Sequence, residues 1–346
     1  MKKIWLILIV VFGLSGTANF GWTASFLYDP GPHNNGFWLN NGVFTPEYSW
    51  PGVFTPMGPE GKSSGWTVVN WGDLANWPND PQTDRKGGLF FYHPIAGYLH
   101  WYVSPRGGHG LEVGRDTTWS GWDNNNYGAE HDDGLVANYP GWGSQIPDGI
   151  IPDEKEESPA LSQLKALRIK AFQRVLSAWQ GTRTGQDYVN TSLIIIFWNE
   201  IYRQQLWWYV STYDSRALYP DAFWNEAGCQ YQAPEGFKGS APFYEYIVID
   251  GVQNYGKKPL VQGKAGKVYT LNILPRLTEV ITNNAFPANS RESCLSRGGT
   301  GESMPLDQDL SHWKVSTLYV GSIVGGEGTI VSQHDSINLT YIKKHK

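Results

Sequence analysis

The run Thr191–Asp214, TSLIIIFWNEIYRQQLWWYVSTYD, restricts the fold more than any other stretch of the 346-residue chain. Two thirds of its positions are β-branched, aromatic or aliphatic, which favours extended backbone over helix. Leu193–Tyr202 and Leu206–Tyr213 read as two strands. Arg203, Gln204 and Gln205 lie between them, a suitable length for a hairpin loop. Side chains alternate across a strand, so Ile194, Ile196, Trp198, Glu200 and Tyr202 share one face. On the second strand Trp207, Tyr209, Ser211 and Tyr213 share a face. The hairpin therefore predicts one sheet surface with Trp198, Glu200 and Tyr202 near Trp207 and Tyr209. Rings of this size either fill a core or line a groove.

The rest of the chain agrees with a sheet protein. Charged residues make up only 17%, and there are 17 Trp, 40 Gly and 21 Pro. Few charges with abundant turn formers and rings point to strands joined by long aromatic-rich loops. The expected fold class is mainly β, an antiparallel β-sandwich with one amphipathic helix. Leu89–His93 and Tyr98–Val103 form a second hairpin, which places Tyr98, His100 and Tyr102 on one face. Ser104–Gly149 has little periodicity and reads as a long loop, rich in Gly, Asn, Asp and Trp. Ser158–Gln180 reads as the helix. Ser158 suits the N-cap, Pro159 the first turn and Gly181 the stop. Leu161, Leu164, Leu167, Ala171, Phe172, Val175, Leu176 and Trp179 recur at helical spacing. Phe243–Asp250, His312–Gly321 and Thr329–Tyr341 are further strands. Gly266–Pro275 and Arg276–Thr282 read as extended runs.

The amino terminus reads as an export signal. Lys2 and Lys3 precede an apolar run, Ile4–Leu14, and small residues Gly16 and Ala18 follow. The expected organisation is a signal over residues 1–18 and a single β-sandwich domain over 19–346, with helix 158–180 inserted. The apolar run is shorter than the ~20 residues that span a membrane, and no later stretch is long enough. The predicted location is secreted or periplasmic. The formal charge of −5 and the lack of a long basic run argue against a nucleic-acid partner. Cys229 and Cys294 are the two cysteines, both in loop-like sequence, and an exported chain predicts a bridge between them. Such a bridge would contribute roughly 4 kcal/mol on the chain-entropy account.

The segments FYEYIVIDG and KVYTLNI, with the ending HWKVSTLYVGSIVGGEGTIVSQHDSINL, resemble jelly-roll domains of the concanavalin A-like lectin and glucanase kind. The resemblance covers about residues 190–342. It implies a carbohydrate-handling sandwich and assigns no catalytic residue. EHDDG at Glu130–Gly134 departs from the Glu-x-Asp-x-x-Glu strand common in one large glucanase family.

Cleavage of a glycosidic bond needs two carboxyl groups across a cleft. Glu200, set among rings, is the first candidate and Glu245 the second. Trp198, Tyr202, Trp207, Tyr209 and His100 are candidate substrate-binding residues. No cofactor is implied, although DNNNYG at Asp123–Gly128 has part of a calcium-loop pattern and lacks its closing acid. There is no phosphate-binding Gly-x-x-x-x-Gly-Lys-Ser. Two readings stand. One is an exported polysaccharide-engaging protein, a glycoside hydrolase or lyase with an aromatic-lined groove. The other is a non-catalytic lectin-like or matrix protein. The sequence leaves the glycan and the oligomeric state open.

Overall fold

The computed structural model describes residues 23–25, 66–71, 82–83, 89–93, 97–106, 109–116, 130–138, 159–182, 187–216, 223–232, 242–283, 286, 288–296 and 298–344. The proposed signal and the Asp123 loop lie outside the described residues. Seven strands come first: β1 (Thr23–Ser25), β2 (Trp66–Trp71), β3 (Gln82–Thr83), β4 (Leu89–His93), β5 (Gly97–Val103), β6 (His109–Asp116) and β7 (Glu130–Asn138). Then follow β8 (Leu164–Gln180), β9 (Tyr188–Asn199), β10 (Gln204–Asp214), β11 (Phe223–Tyr231), β12 (Phe243–Gly251) and β13 (Lys267–Asn272). Two short helices, α1 (Leu274–Thr282) and α2 (Arg291–Ser296), precede β14 (Trp313–Gly325) and β15 (Gly328–Lys343).

The strands form two sheets. The first runs β13-β8-β15-β6-β5-β4-β3, with β1 also paired to β15. The second runs β11-β12-β10-β9-β14-β7-β2. Pairing is antiparallel except between β10 and β12, which run parallel. The fold is a β-sandwich, as the sequence predicts, with that one parallel pair as a departure. Inward-facing residues of both sheets make one core, including Leu167, Ile169, Leu193, Ile195, Phe197, Trp208, Tyr246 and Val320. Helix α1 buries Leu274, Leu277, Val280 and Ile281 in the same core.

Polar groups also bridge the sheets inside this core. Gln173 of β8 donates to His334 Nδ1 of β15 at 3.1 Å and to the Ser192 carbonyl of β9 at 3.2 Å. With Nδ1 accepting, His334 Nε2 carries the proton toward Ser332 Oγ, 3.0 Å away. Ser332 joins Ser322 of β14 at 2.7 Å, and Thr212 of β10 donates to Gln173 Oε1 at 2.7 Å. Every member has a partner, so the network fixes how the sheets face each other without leaving orphaned dipoles.

Four expectations are corrected. Residues 158–180 are not a helix: beyond one 3₁₀ turn, Leu161–Gln163, they form the 17-residue strand β8. Two register shifts explain the misleading period. Lys165 and Leu176 are extra residues against β15, each inserting a three-residue step into an alternating pattern. Inward positions then fall at Leu164, Leu167, Ile169, Ala171, Gln173, Val175 and Ala178, which mimics helical spacing. Pairing on both flanks, with β13 and β15, outweighs the helix preference of Leu, Ala, Lys and Arg. The loop expected over Ser104–Gly149 contains β6 and β7. The extended run expected over Arg276–Thr282 is part of α1, whose Pro275 suits a first helical turn. The cysteines, read as lying in loops, stand on β11 and α2, and they are joined as predicted, with sulfurs 2.03 Å apart.

Candidate functional site

The hairpin β9–β10 is present, but its turn is Glu200–Arg203 rather than Arg203–Gln205. Asn199 ends the strand. Its Oδ1 accepts from the amides of Ile201 and Tyr202 at 3.1 and 3.2 Å, while its Nδ2 donates to Asp307 at 2.7 Å. Arg203 then closes the turn at φ 51°, a left-handed value for a non-glycine residue. Glu200 and Tyr202 are therefore exposed on a turn and do not continue the face of Trp198.

Register places Trp198 beside Gln205, and Gln205 beside Glu245 of β12. Trp207 and Tyr209 lie further along the same outer face of the second sheet, stacked with centroids 6.2 Å apart. They pack with Ile194, Ile196, Tyr319 and Ile323 in a buried cluster, and Tyr209 is only 9% exposed. Trp198 is half-buried, with the Arg203 guanidinium 5.9 Å from its ring. The structure thus gathers Trp198, Trp207, Tyr209 and Glu245 on one face. Glu200 and Tyr202 stand on its rim, and His100 lies on the other side of the sandwich.

His100 belongs to a cleft of about 610 Å³ on the outer face of the first sheet. Its floor follows from register. Arg174 of β8, Gln333 of β15, Glu112 of β6 and His100 of β5 form one row across four strands. Phe172, Asp335, Gly110 and Tyr102 form the next. The glycines of β6 permit this surface, because a Cβ on Gly114 would meet the Tyr98 ring at 2.2 Å and one on Gly110 the Tyr102 ring at 2.7 Å.

Polar contacts hold the floor rigid. Glu112 accepts from Tyr98 Oη at 2.8 Å and from Gln333 Nε2 at 2.6 Å. Asp335 is sealed, with no side-chain exposure, and accepts from Arg106 at 2.8 and 2.9 Å, Tyr102 at 2.8 Å and Ser104 at 2.9 Å. Burial alone would raise the Asp335 pKa. The hydrogen bonds from Arg106, Tyr102, Ser336 and Ser104 outweigh it and hold the carboxyl below its ordinary range. Burial, reinforced by the Asp335 charge, pushes the Tyr102 phenol well up, so it stays a donor. Burial and the Glu112 charge do the same to Tyr98. The Arg106 guanidinium lies 3.2 Å from the Phe172 ring centroid, and a Cβ on Gly266 would meet the edge of that ring at 2.2 Å. Chemically the cleft offers fixed hydrogen-bonding groups of both signs, ring edges, and one partly exposed carboxylate, Glu112.

Sequence reading found His100 and its face-mates but missed Arg106, Glu112, Phe172, Arg174 and Gln333. The overlooked signal was the alternation Gly110-x-Glu112-x-Gly114, which pairs with Tyr98-x-His100-x-Tyr102. No group of three metal-ligating side chains occurs among the described residues. No described helix is long and apolar enough to cross a membrane.

No family model matches the chain, and no curated protein matches it. Among solved structures it is similar to the family 11 xylanase from Neocallimastix patriciarum, at 8% identity and TM-score 0.37 over 79% of this chain and 99% of that one. It is also similar to the family 12 xyloglucanase from Bacillus licheniformis, at 12% identity and TM-score 0.37 over 79% and 100%. For the endoglucanase cel12A from Rhodothermus marinus the values are 11%, 0.35, 80% and 100%.

Proposed function

We propose that this chain is an exported protein that engages polysaccharide through the cleft on the outer face of its first sheet. The cleft's make-up carries the reading. His100 and Tyr102, with centroids 5.9 Å apart, present ring surface beside Glu112, Gln333 and Arg174. Ligand sites combine apolar ring surface with a few fixed polar groups, and a sugar offers C–H faces and hydroxyls to match. Glu112 and Gln333 are held by in-sheet hydrogen bonds, so little side-chain entropy is lost when a hydroxyl docks. The Cys229–Cys294 bridge fits an oxidising compartment.

The test is retention on a panel of polysaccharides, read together with the release of reducing ends. Wild type should be retained. His100→Ala and Gln333→Ala should each weaken retention by about 1–2 kcal/mol, with thermal unfolding little changed. Retention by both variants equal to wild type on every glycan would refute the cleft as the binding site. Reducing ends that vanish in Glu112→Gln while retention persists would mark a hydrolase with Glu112 as its acid or base. Retention without cleavage marks a lectin-like module.

A further inference from the structure

The outward side of β8 is basic along most of its length. Lys165, Arg168 and Lys170 are exposed, and Arg174 continues the line into the cleft. Phe172, the one apolar outer position between Lys170 and Arg174, is itself covered by the Arg106 guanidinium. From Arg168 to Arg174 the strand advances about 20 Å. None of Lys165, Arg168, Lys170 and Arg174 makes an ion pair among the described residues. Their cross-strand neighbours are uncharged hydrogen-bonding groups. Arg168 stands between Asn272 and Thr340, and Lys170 between Thr270 and Asn338.

Exposed lysines often protect a sheet edge from pairing. That explanation fails for Arg168 and Lys170, which lie where β8 is paired with β13 on one flank and β15 on the other. Nor does the chain carry general positive charge, its formal net charge being −5. Among the described residues no carboxylate pairs with this basic line, and only Arg174 has a side-chain hydrogen bond, its Nε donating to the Lys264 carbonyl at 3.2 Å, so the line, continuous with the cleft, is open to an anionic ligand.

We propose that the polysaccharide is acidic, a polymer bearing carboxylates, and that β8 holds it along Arg168, Lys170 and Arg174. This rests on the reading of the cleft as a glycan site. Arginine's planar fork suits a carboxylate, and lysine adds a point charge. Glu112, the cleft's partly exposed acid, lies two strands from β8, so the ligand's carboxylates face β8 while hydroxyls face Glu112. On the stripe itself Phe172 is buried and covered by Arg106, so it offers no open ring face to stack a nucleic-acid base.

The experiment titrates the full chain with polygalacturonate, a neutral β-glucan and single-stranded DNA. It uses wild type and the double variant Arg168→Gln/Lys170→Gln, whose sites are exposed. Polygalacturonate should bind in preference to the glucan. Its affinity should fall at least about tenfold as salt rises from about 0.1 M to about 1 M, where screening shortens from about 10 Å to about 3 Å. The double variant should lose roughly tenfold in polygalacturonate affinity, and any glucan binding should be unchanged. Equal affinity for glucan and polygalacturonate, or a variant that binds polygalacturonate as wild type does, overturns the acidic-ligand proposal and leaves the glycan site standing. DNA bound as tightly as polygalacturonate, with the same loss in the variant, overturns it in favour of a general polyanion surface. Retention of no glycan of either kind overturns the glycan reading as well.

Discussion

Acidification should loosen the sandwich through His334 before most carboxylates titrate. His334 is wholly buried between the sheets, and burial lowers its pKa from 6.5 to about 3, with Asp335 opposing only in part. Its surroundings suit the neutral ring. Gln173 donates to Nδ1, and Nε2 faces the Ser332 and Ser322 hydroxyls. The nearest charged pair, Asp335 with Arg106, lies on the opposite face of β15. Below pH 6.5 the unfolded chain binds a proton at this residue and the folded chain does not. Stability therefore falls with falling pH through the window from 6.5 to about 3, at about 1.4 kcal/mol per pH unit. Between pH 6.5 and 4.5 the loss is about 2 kcal/mol, a large share of the ~5–15 kcal/mol that holds a typical domain. Urea unfolding at intervals across that window measures it. His334→Gln cannot titrate, so its stability should decline less steeply than wild type by that slope. The depressed Asp335 acts with the same sign, its contribution being lost as pH falls through its folded pKa, but it is common to both proteins and cancels. Parallel curves for wild type and variant would refute the reasoning. An imidazole signal of His334 titrating near pH 6 in the folded protein would refute it independently.

Two further outcomes follow from particular contacts. Arg106→Ala should cost about 1–3 kcal/mol, read as a lower urea midpoint, because it leaves Asp335 sealed with hydroxyl donors alone; a midpoint equal to wild type would contradict this. Cys294→Ser, or reduction of wild type, should cost about 2–4 kcal/mol by opening a loop that spans a sequence separation of 65, and calorimetry with and without reductant measures it.

The sequence was most legible where one period held for a whole strand. β9, β10 and β12 are legible as strands because β-branched and aromatic residues predominate in them. Their ends were less legible. Glu200 looked like a strand position because Ile201 and Tyr202 continue the apolar run. What ends the strand is Asn199, whose side chain caps the turn and reaches Asp307, over a hundred residues away. No local pattern contains that partner. The same holds for the cleft. Arg174, Gln333, Glu112 and His100 come from four strands, and only register aligns them. Reading β6 as loop and β8 as helix loses two of those four strands, and the site with them.

The density of aromatic residues suggested a single groove, yet the structure divides the rings by the work each surface does. Trp208, Trp313 and Tyr246 are fully buried in the core. Trp207 and Tyr209 pack over the outer face of the second sheet with isoleucines. Tyr98 and Tyr102 lie against glycines on the first sheet and use their hydroxyls to fix Glu112 and Asp335. Ring count alone thus identifies no binding surface. What separates the cleft is that its rings adjoin polar groups that are already oriented. Strand β8 then links core and surface most directly. Its inward Gln173 joins the network that aligns the sheets, and its outward Arg174 lines the cleft on the next residue. Any shift of β8 by one residue would carry Gln173 out of the core and Arg174 into it, so the register that satisfies the buried amide also fixes the basic stripe.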